Sequence, residues 1–206
     1  VVKPNCSIQS YVPIIKALET FGVKKISVAT YQAISGAGKN FETWPEMVDN
    51  IIPFIGGEEK KSEEEPVKVL GNIVNGKIEM ANEPIISATC IRVPVTDGHM
   101  TSVGMQLSKE TSKEQILEAI NNYKNPILDL NLPSAPKEIV KYYEEDDRPQ
   151  TKLDRDYEAG MGITMGRLRK DNVLGWSFVS LSHNTIRGAA GGAILVAELL
   201  KAKGYI

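Results

Sequence analysis

Residues 91–107 read IRVPVTDGHMTSVGMQL. Residues 91–95 and 101–107 have the make-up of strands. Between them, Val95-Thr96-Asp97-Gly98-His99 is a turn, with no helix interposed. Outward from this stretch the same mixture continues. Residues 25–30 (KISVAT), 162–168 and 174–181 read as further strands. Helical spacing of Ile8, Tyr11, Val12, Ile15 and Leu18 predicts a first helix. Ser7 is its expected N-cap, Pro13 implies a kink or a late start, and Gly22 a C-terminal stop. Ser112 and Gln115 form a capping box before a helix reaching about residue 123. A last helix, residues 188–203, opens on small residues. Strands and helices mix without regular βαβ alternation. The expected class is α+β, a mixed, largely antiparallel sheet with helices on one face. No G-x-G-x-x-G follows a first strand, so a dinucleotide-binding half is not visible.

The 206 residues are 42% hydrophobic and 24% charged, with a net charge of −2. These are the proportions of a globular chain with one sizeable core. Near-zero charge speaks against nucleic acid as a partner. No run approaches the roughly 18 apolar residues that cross a membrane. Two cysteines are too few for a disulfide framework and point to a reducing, cytoplasmic setting. No metal site is expected. The opening VVKPNC lacks Met and any leader-like segment, and reads as the interior of a longer protein. Charge concentrates in residues 58–65 and 144–147, each ordinarily a solvated face or loop.

Cys6 precedes the expected first helix, where free N–H groups and the helix dipole would favour a thiolate. A free cysteine is equally a small buried hydrophobe. Cys90, in an apolar run, reads as core. A thiolate nucleophile needs a proton-transfer partner, and the chain offers His99 in the turn and His183 after a strand. Each is also readable as a structural histidine.

Four ordered blocks narrow these alternatives: Pro4-Asn5-Cys6-Ser7, residues 31–38 (YQAISGAG), Arg92-Val93-Pro94-Val95 with Gly98-His99, and Gly188-Ala189-Ala190-Gly191. Together they resemble aspartate-semialdehyde dehydrogenase, over its catalytic and dimerisation domain only. The resemblance implies a fold like the C-terminal domain of the glyceraldehyde-3-phosphate dehydrogenase group. It covers residues 1–206, with the last helix packed on an absent NADP-binding domain. It implies NADPH-dependent reductive dephosphorylation of L-aspartyl 4-phosphate to aspartate semialdehyde, in lysine, threonine, methionine and isoleucine synthesis. It implies a homodimer or homotetramer. By the same resemblance Cys6 is the nucleophile, His99 the acid/base and Gln32 the substrate-orienting residue. Arg92 grips the substrate carboxylate, Glu58 its ammonium group, and Lys61 meets phosphate. Ser35 and Gly36 approach the nicotinamide, and Asn184 contacts its carboxamide. His183 has no role. On a helix, Glu58 and Lys61 would share a face, though Glu59 and Lys60 leave the register open. Three other readings stand beside this one: malonyl-CoA reductase, an inactive dimerisation module, and a cysteine hydrolase, which leaves Arg92, Glu58 and Lys61 without a joint purpose.

Overall fold

The computed structural model describes residues 3–125 and 127–206. Among the described residues eight strands form: β1 (Val23–Gln32), β2 (Asn72–Val74), β3 (Lys77–Glu79), β4 (Ile85–Arg92), β5 (His99–Leu107), β6 (Val140–Tyr143), β7 (Ile163–Asp171) and β8 (Gly175–Ser182). The α-helices are α1 (Val12–Ala17), α2 (Glu58–Val69), α3 (Lys113–Asn121), α4 (Thr151–Asp154) and α5 (Gly191–Ala202). Six strands make one open sheet in the order β4-β1-β5-β8-β7-β6, and β2 and β3 form a separate hairpin. The β1/β4 and β6/β7 pairs are parallel and the other three antiparallel. This is the expected α+β class. The two strands of the opening stretch are not neighbours, because β1 lies between them.

One face of the sheet carries the core, and it changes character along the strands. Ile26, Val28, Thr30 and Gln32 are the buried alternating residues of β1. Ile26 pairs with Met105, Val28 with Val103 and Thr30 with Thr101, while Val103 also faces Phe178. These apolar rows pack under α1 and α3 through Ile14, Ile15, Leu18, Ile116 and Ile120. Toward one edge the same face turns polar. Thr101 Oγ1 meets Ser180 Oγ at 2.8 Å and Ser10 Oγ at 3.2 Å. Beyond that row lie Gln32, Arg92 and His99, where β1 and β4 end and β5 begins. Lys25, Ser27, Ser102 and Gln106 point outward from the opposite face.

Strands β2, β3 and β6 lie outside the sequence expectation, and the other strands differ from it mainly at their ends. β4 runs to Arg92 and stops, so residues 93–95 leave the sheet, and His99 is the first residue of β5 rather than part of the turn. The first helical segment is broken. A 3₁₀ turn, Cys6–Ile8, precedes α1, which begins late with Pro13 in its first turn, where a missing N–H costs nothing. Asn5, not Ser7, caps the 3₁₀ turn, its side chain accepting from the Ser7 N–H at 2.9 Å. The Ser112/Gln115 capping box is present at the start of α3. The last helix begins as a π-turn, Ile186–Ala190, before α5. No helix among the described residues is long and apolar enough to cross a membrane.

Candidate active site

The polar edge gathers the ends of β1, β4 and β8, the start of β5, and the Cys6 turn. Helix α2 lies along β4, an edge strand with unpaired N–H groups. Glu63 accepts from the Ala88 N–H at 3.1 Å and Glu59 from the Cys90 N–H at 3.3 Å, so α2 carboxylates complete the ladder. This fixes the helical register. Glu59 is taken up by the strand, Lys60 points to solvent, and Glu58 turns into the site with its side chain 13% exposed.

Pro66 ties α2 to the Cys6 segment. It has no N–H, so the Ser62 carbonyl loses its intrahelical donor. The buried Tyr11 hydroxyl supplies one at 3.2 Å. Ser62 Oγ also meets Ser7 Oγ at 3.1 Å and Cys90 Sγ at 3.6 Å. Cys90 is a fully buried core residue, as expected.

The charged and reactive groups converge around Glu58. Asn5 Nδ2 donates to both of its oxygens, at 3.1 and 3.0 Å. Lys61 Nζ donates at 3.1 Å and Gln32 Nε2 at 3.4 Å. Bonding to Glu58 raises the pKa of the exposed Lys61. Gln32 Nε2 also reaches Thr30 Oγ1 at 3.2 Å.

Arg92 and His99 are held by one residue. Arg92 Nη1 donates to the Ala33 carbonyl at 2.6 Å, and the Ala33 N–H donates to His99 Nδ1 at 3.1 Å. Burial pulls the Arg92 pKa down, but a guanidinium stays charged. Burial, with Arg92 beside it, pushes His99 down to about 3, so the imidazole is neutral. Both side chains border Gly36. A Cβ there would lie 3.0 Å from Arg92 Nη1 and 3.0 Å from His99 Nε2.

Cys6 is half-buried, against the start of the last helical segment. A Cβ on Gly188 would sit 2.6 Å from the Cys6 Cβ, so this small residue serves close packing within the chain. In the free chain the surroundings of Cys6 work against the expected thiolate. Burial pushes the Cys6 pKa up, and the Glu58 carboxylate adds to this. A three-residue turn aligns too few peptide dipoles to oppose them.

Asn184 spans two loops. Its Oδ1 accepts from the Gly98 N–H at 2.7 Å and its Nδ2 donates to Ser35 Oγ at 2.8 Å, leaving one amide hydrogen free of these contacts. His183 lies outside the cluster, its ring accepting from the Thr185 N–H and 3.6 Å from Asp156. Nothing in the sequence marked Ala33, which acts through its backbone. Asn5 carried a legible signal, since asparagine is a favoured cap.

The fold and the cluster define a class: an α+β domain that presents a thiol, a buried guanidinium, an imidazole and a carboxylate at one edge of an open sheet. Within it, residues 12–187 match the model of the semialdehyde dehydrogenase dimerisation domain, and the chain belongs to that family. It is 46% identical over 200 residues to aspartate-semialdehyde dehydrogenase of Archaeoglobus fulgidus, covering 97% of this chain and 57% of that protein. It is 34% identical over 210 residues to malonyl CoA reductase (NADP) of Metallosphaera sedula, covering all of this chain and 59% of that protein. Its fold matches the crystal structure of aspartate semialdehyde dehydrogenase with NADP from Candida albicans. The TM-score is 0.86 at 37% identity, over 98% of this chain and 57% of that one. The chain thus spans under three fifths of the length of these relatives.

Proposed function

We propose that the chain is the catalytic and dimerisation portion of an NADP-dependent aspartate-semialdehyde dehydrogenase, converting L-aspartyl 4-phosphate to aspartate semialdehyde through a thioester on Cys6. One observation carries this reading: a buried cation, Arg92, and a largely buried carboxylate, Glu58, flank the Cys6 segment at one sheet edge. That pair suits a substrate bearing both a carboxylate and an ammonium group. Arg92 offers a fork for the α-carboxylate. Glu58 takes the ammonium, Gln32 orients the chain of the substrate, and Lys61 at the exposed rim meets phosphate.

The resting charge of Glu58 works against ionisation of Cys6. An ammonium seated on Glu58 cancels that charge, so the correct substrate favours the thiolate that attacks it. His99 faces the reacting carbonyl.

The residues toward the cofactor fit a flat ring. Gly36 is exposed and brings no side chain, and Asn184 retains an amide hydrogen beside Ser35. When bound, NADPH supplies hydride to the thioester carbon. Helix α5 contains Ile194, Leu195, Val196, Leu199 and Leu200 yet buries none of its residues. We place a nucleotide-binding domain against it. The outward sheet face is the surface for a homodimer or homotetramer, and two unpaired cysteines suit the cytoplasm.

The test is turnover by the full-length protein. Aspartate semialdehyde and NADP should give NADPH only when phosphate is present, and Cys6→Ala should abolish this. Phosphate-independent reduction of malonyl-CoA, with no reaction of aspartate semialdehyde, would replace this reading by the acyl-CoA reductase one.

A further inference from the structure

We propose that a left-handed turn at residues 158–160 positions Cys6. The turn seats the π-turn Ile186–Ala190, whose Gly188 is the wall against which the nucleophile packs. Gly160, Ile186 and Arg187 are then positioning residues, acting on Cys6 through that wall. The effect on turnover rests on the thioester reading above; the mechanical link to Cys6 does not.

The backbone of this turn is strained. Glu158 and Ala159 have φ of 52° and 53°, and Gly160 follows at 79°. In the left-handed region Cβ crowds the next carbonyl, so only glycine enters it freely. Such strain persists where the surroundings over-determine it, and it clusters where function needs a fixed geometry. Here the Glu158 carboxylate accepts from the Lys137 N–H at 2.7 Å. The Gly160 and Gly162 N–H groups donate to the Asp156 and Tyr157 carbonyls, both at 3.1 Å.

The strained turn makes a seat. Gly160 presents no side chain to Ile186; a Cβ there would lie 2.8 Å from Ile186 Cδ1. The carbonyl of Met161, next in the chain, accepts from Arg187 Nη1. Met161 Sδ fills the place of a side chain on Gly191, 2.7 Å from the position of its Cβ. Residues 186 and 187 open the π-turn and Gly191 follows it, so both ends are held. Arg187 pays heavily for this contact. Its Nε is buried without a hydrogen-bond partner among the described residues, and burial alone draws its pKa down to about 10. A buried group left so needs an account in the working of the molecule. Holding the Met161 carbonyl supplies it.

The middle of the π-turn meets the nucleophile. Turns of this kind are rare and are found frequently at functional sites. The Gly188 N–H reaches back five residues to the His183 carbonyl at 2.9 Å, and the Ala190 N–H to that of Thr185 at 3.1 Å. A Cβ on Gly188 would lie 2.6 Å from Cys6 Cβ and 3.2 Å from Cys6 Cα. Cys6 therefore has no room to retreat toward the π-turn. The proposed grips on substrate lie on other elements, Arg92 on β4 and Glu58 on α2. Displacing the π-turn thus moves the thiol and leaves those grips in place. A shift of about 1 Å in a reacting atom is enough to cost about a hundredfold in rate.

Gly160→Ala in the full-length protein tests the link, since its new Cβ meets Ile186 Cδ1. For aspartate semialdehyde, kcat should fall about a hundredfold while KM stays within about twofold. The melting temperature should also drop, because alanine is strained at this φ. Ile186→Val removes the clashing methyl. In the double variant kcat should return to within about threefold of the parent while the melting temperature stays low, because the backbone strain remains. Alkylation of Cys6 by iodoacetamide, followed without substrate, should slow in Gly160→Ala and recover in the double variant. That readout holds whatever acyl compound the enzyme reduces, and unchanged alkylation in Gly160→Ala breaks the link to Cys6. A kcat that stays low in the double variant, or that recovers only together with the melting temperature, reduces the turn to a structural role and overturns the proposal. Should Gly160→Ala not fold, Arg187→Met unties the π-turn from Met161 without a clash. Its kcat should be at least about tenfold down at constant KM, with Arg187→Lys closer to the parent. Parental kcat in Arg187→Met overturns the proposal as well.

Discussion

Glu58 serves two purposes that one substitution separates. Its carboxylate helps keep the free Cys6 thiol protonated, and in the proposed reaction it binds the substrate ammonium. Glu58→Gln removes the charge while keeping the shape. Cys6 should then be alkylated faster by iodoacetamide at neutral pH. KM for the amino-acid substrate should rise roughly 10- to 150-fold, the value of a charge-assisted hydrogen bond of about 1.5–3 kcal/mol. Slower alkylation in this variant would deny the electrostatic link. Gly36 poses a steric question instead. It is not among the residues with positive φ, so its backbone tolerates alanine. Yet the new Cβ would sit 3.0 Å from both Arg92 Nη1 and His99 Nε2. Gly36→Ala should fold with an unchanged melting temperature and lose about a hundredfold in kcat, the cost of misplacing reacting groups by about 1 Å. Full activity would show that neither side chain needs that space.

At the scale of elements, the site depends on two segments locked side by side. The link is Tyr11, whose hydroxyl replaces the hydrogen bond that Pro66 withholds from Ser62. Tyr11→Phe leaves that carbonyl buried and unpaired, at a cost of about 1–3 kcal/mol. Each kcal/mol corresponds to about 2–4 °C in a chain of this size, so calorimetry should find a drop in Tm of several degrees. No drop would mean that Ser62 has another donor. Such links set the limit of what the sequence discloses. The α3 capping box was legible because both partners lie three residues apart. The α2 register was not, because Glu58 and Glu59 are chemically identical and only the N–H groups of β4 choose between them. Strand interiors were legible from alternation. The end of β4 was overrun because Val93 and Val95 continue the strand-like pattern past Arg92, and the start of β5 was missed because His99 is a buried polar residue, which local pattern assigns to a turn. Cys6 and His99 could be picked out as types, and Gln32 and Arg92 only through the resemblance, whereas the Ala33 backbone that joins two of them leaves no trace in the side-chain code.

For the whole molecule, the buried ionisable groups make stability depend on pH in two stages of the same sign. His99 and His183 have pKa values below the ordinary 6.5 in the folded chain, chiefly through burial, and His99 is held at about 3. The unfolded chain therefore binds more protons from about pH 6.5 downward, so stability falls as pH falls through that window. One histidine contributes a slope of at most about 1.4 kcal/mol per pH unit, which ends near pH 3 for His99. Asp154 acts lower. Burial alone would raise its pKa, but Arg148 Nε at 2.7 Å and the Gln150 N–H at 2.6 Å outweigh this and hold it below the ordinary value. Its contribution is present above about pH 3.9 and is lost as pH drops through its folded pKa. Urea unfolding from pH 8 to 3 should show a plateau above about pH 6.5 and a steady decline beneath it. His99→Gln should flatten the decline between about pH 6 and 4, and Asp154→Asn only the part below about pH 4. A profile for His99→Gln parallel to that of the parent would mean that the imidazole is charged in the folded molecule, and that burial at the sheet edge does not govern it.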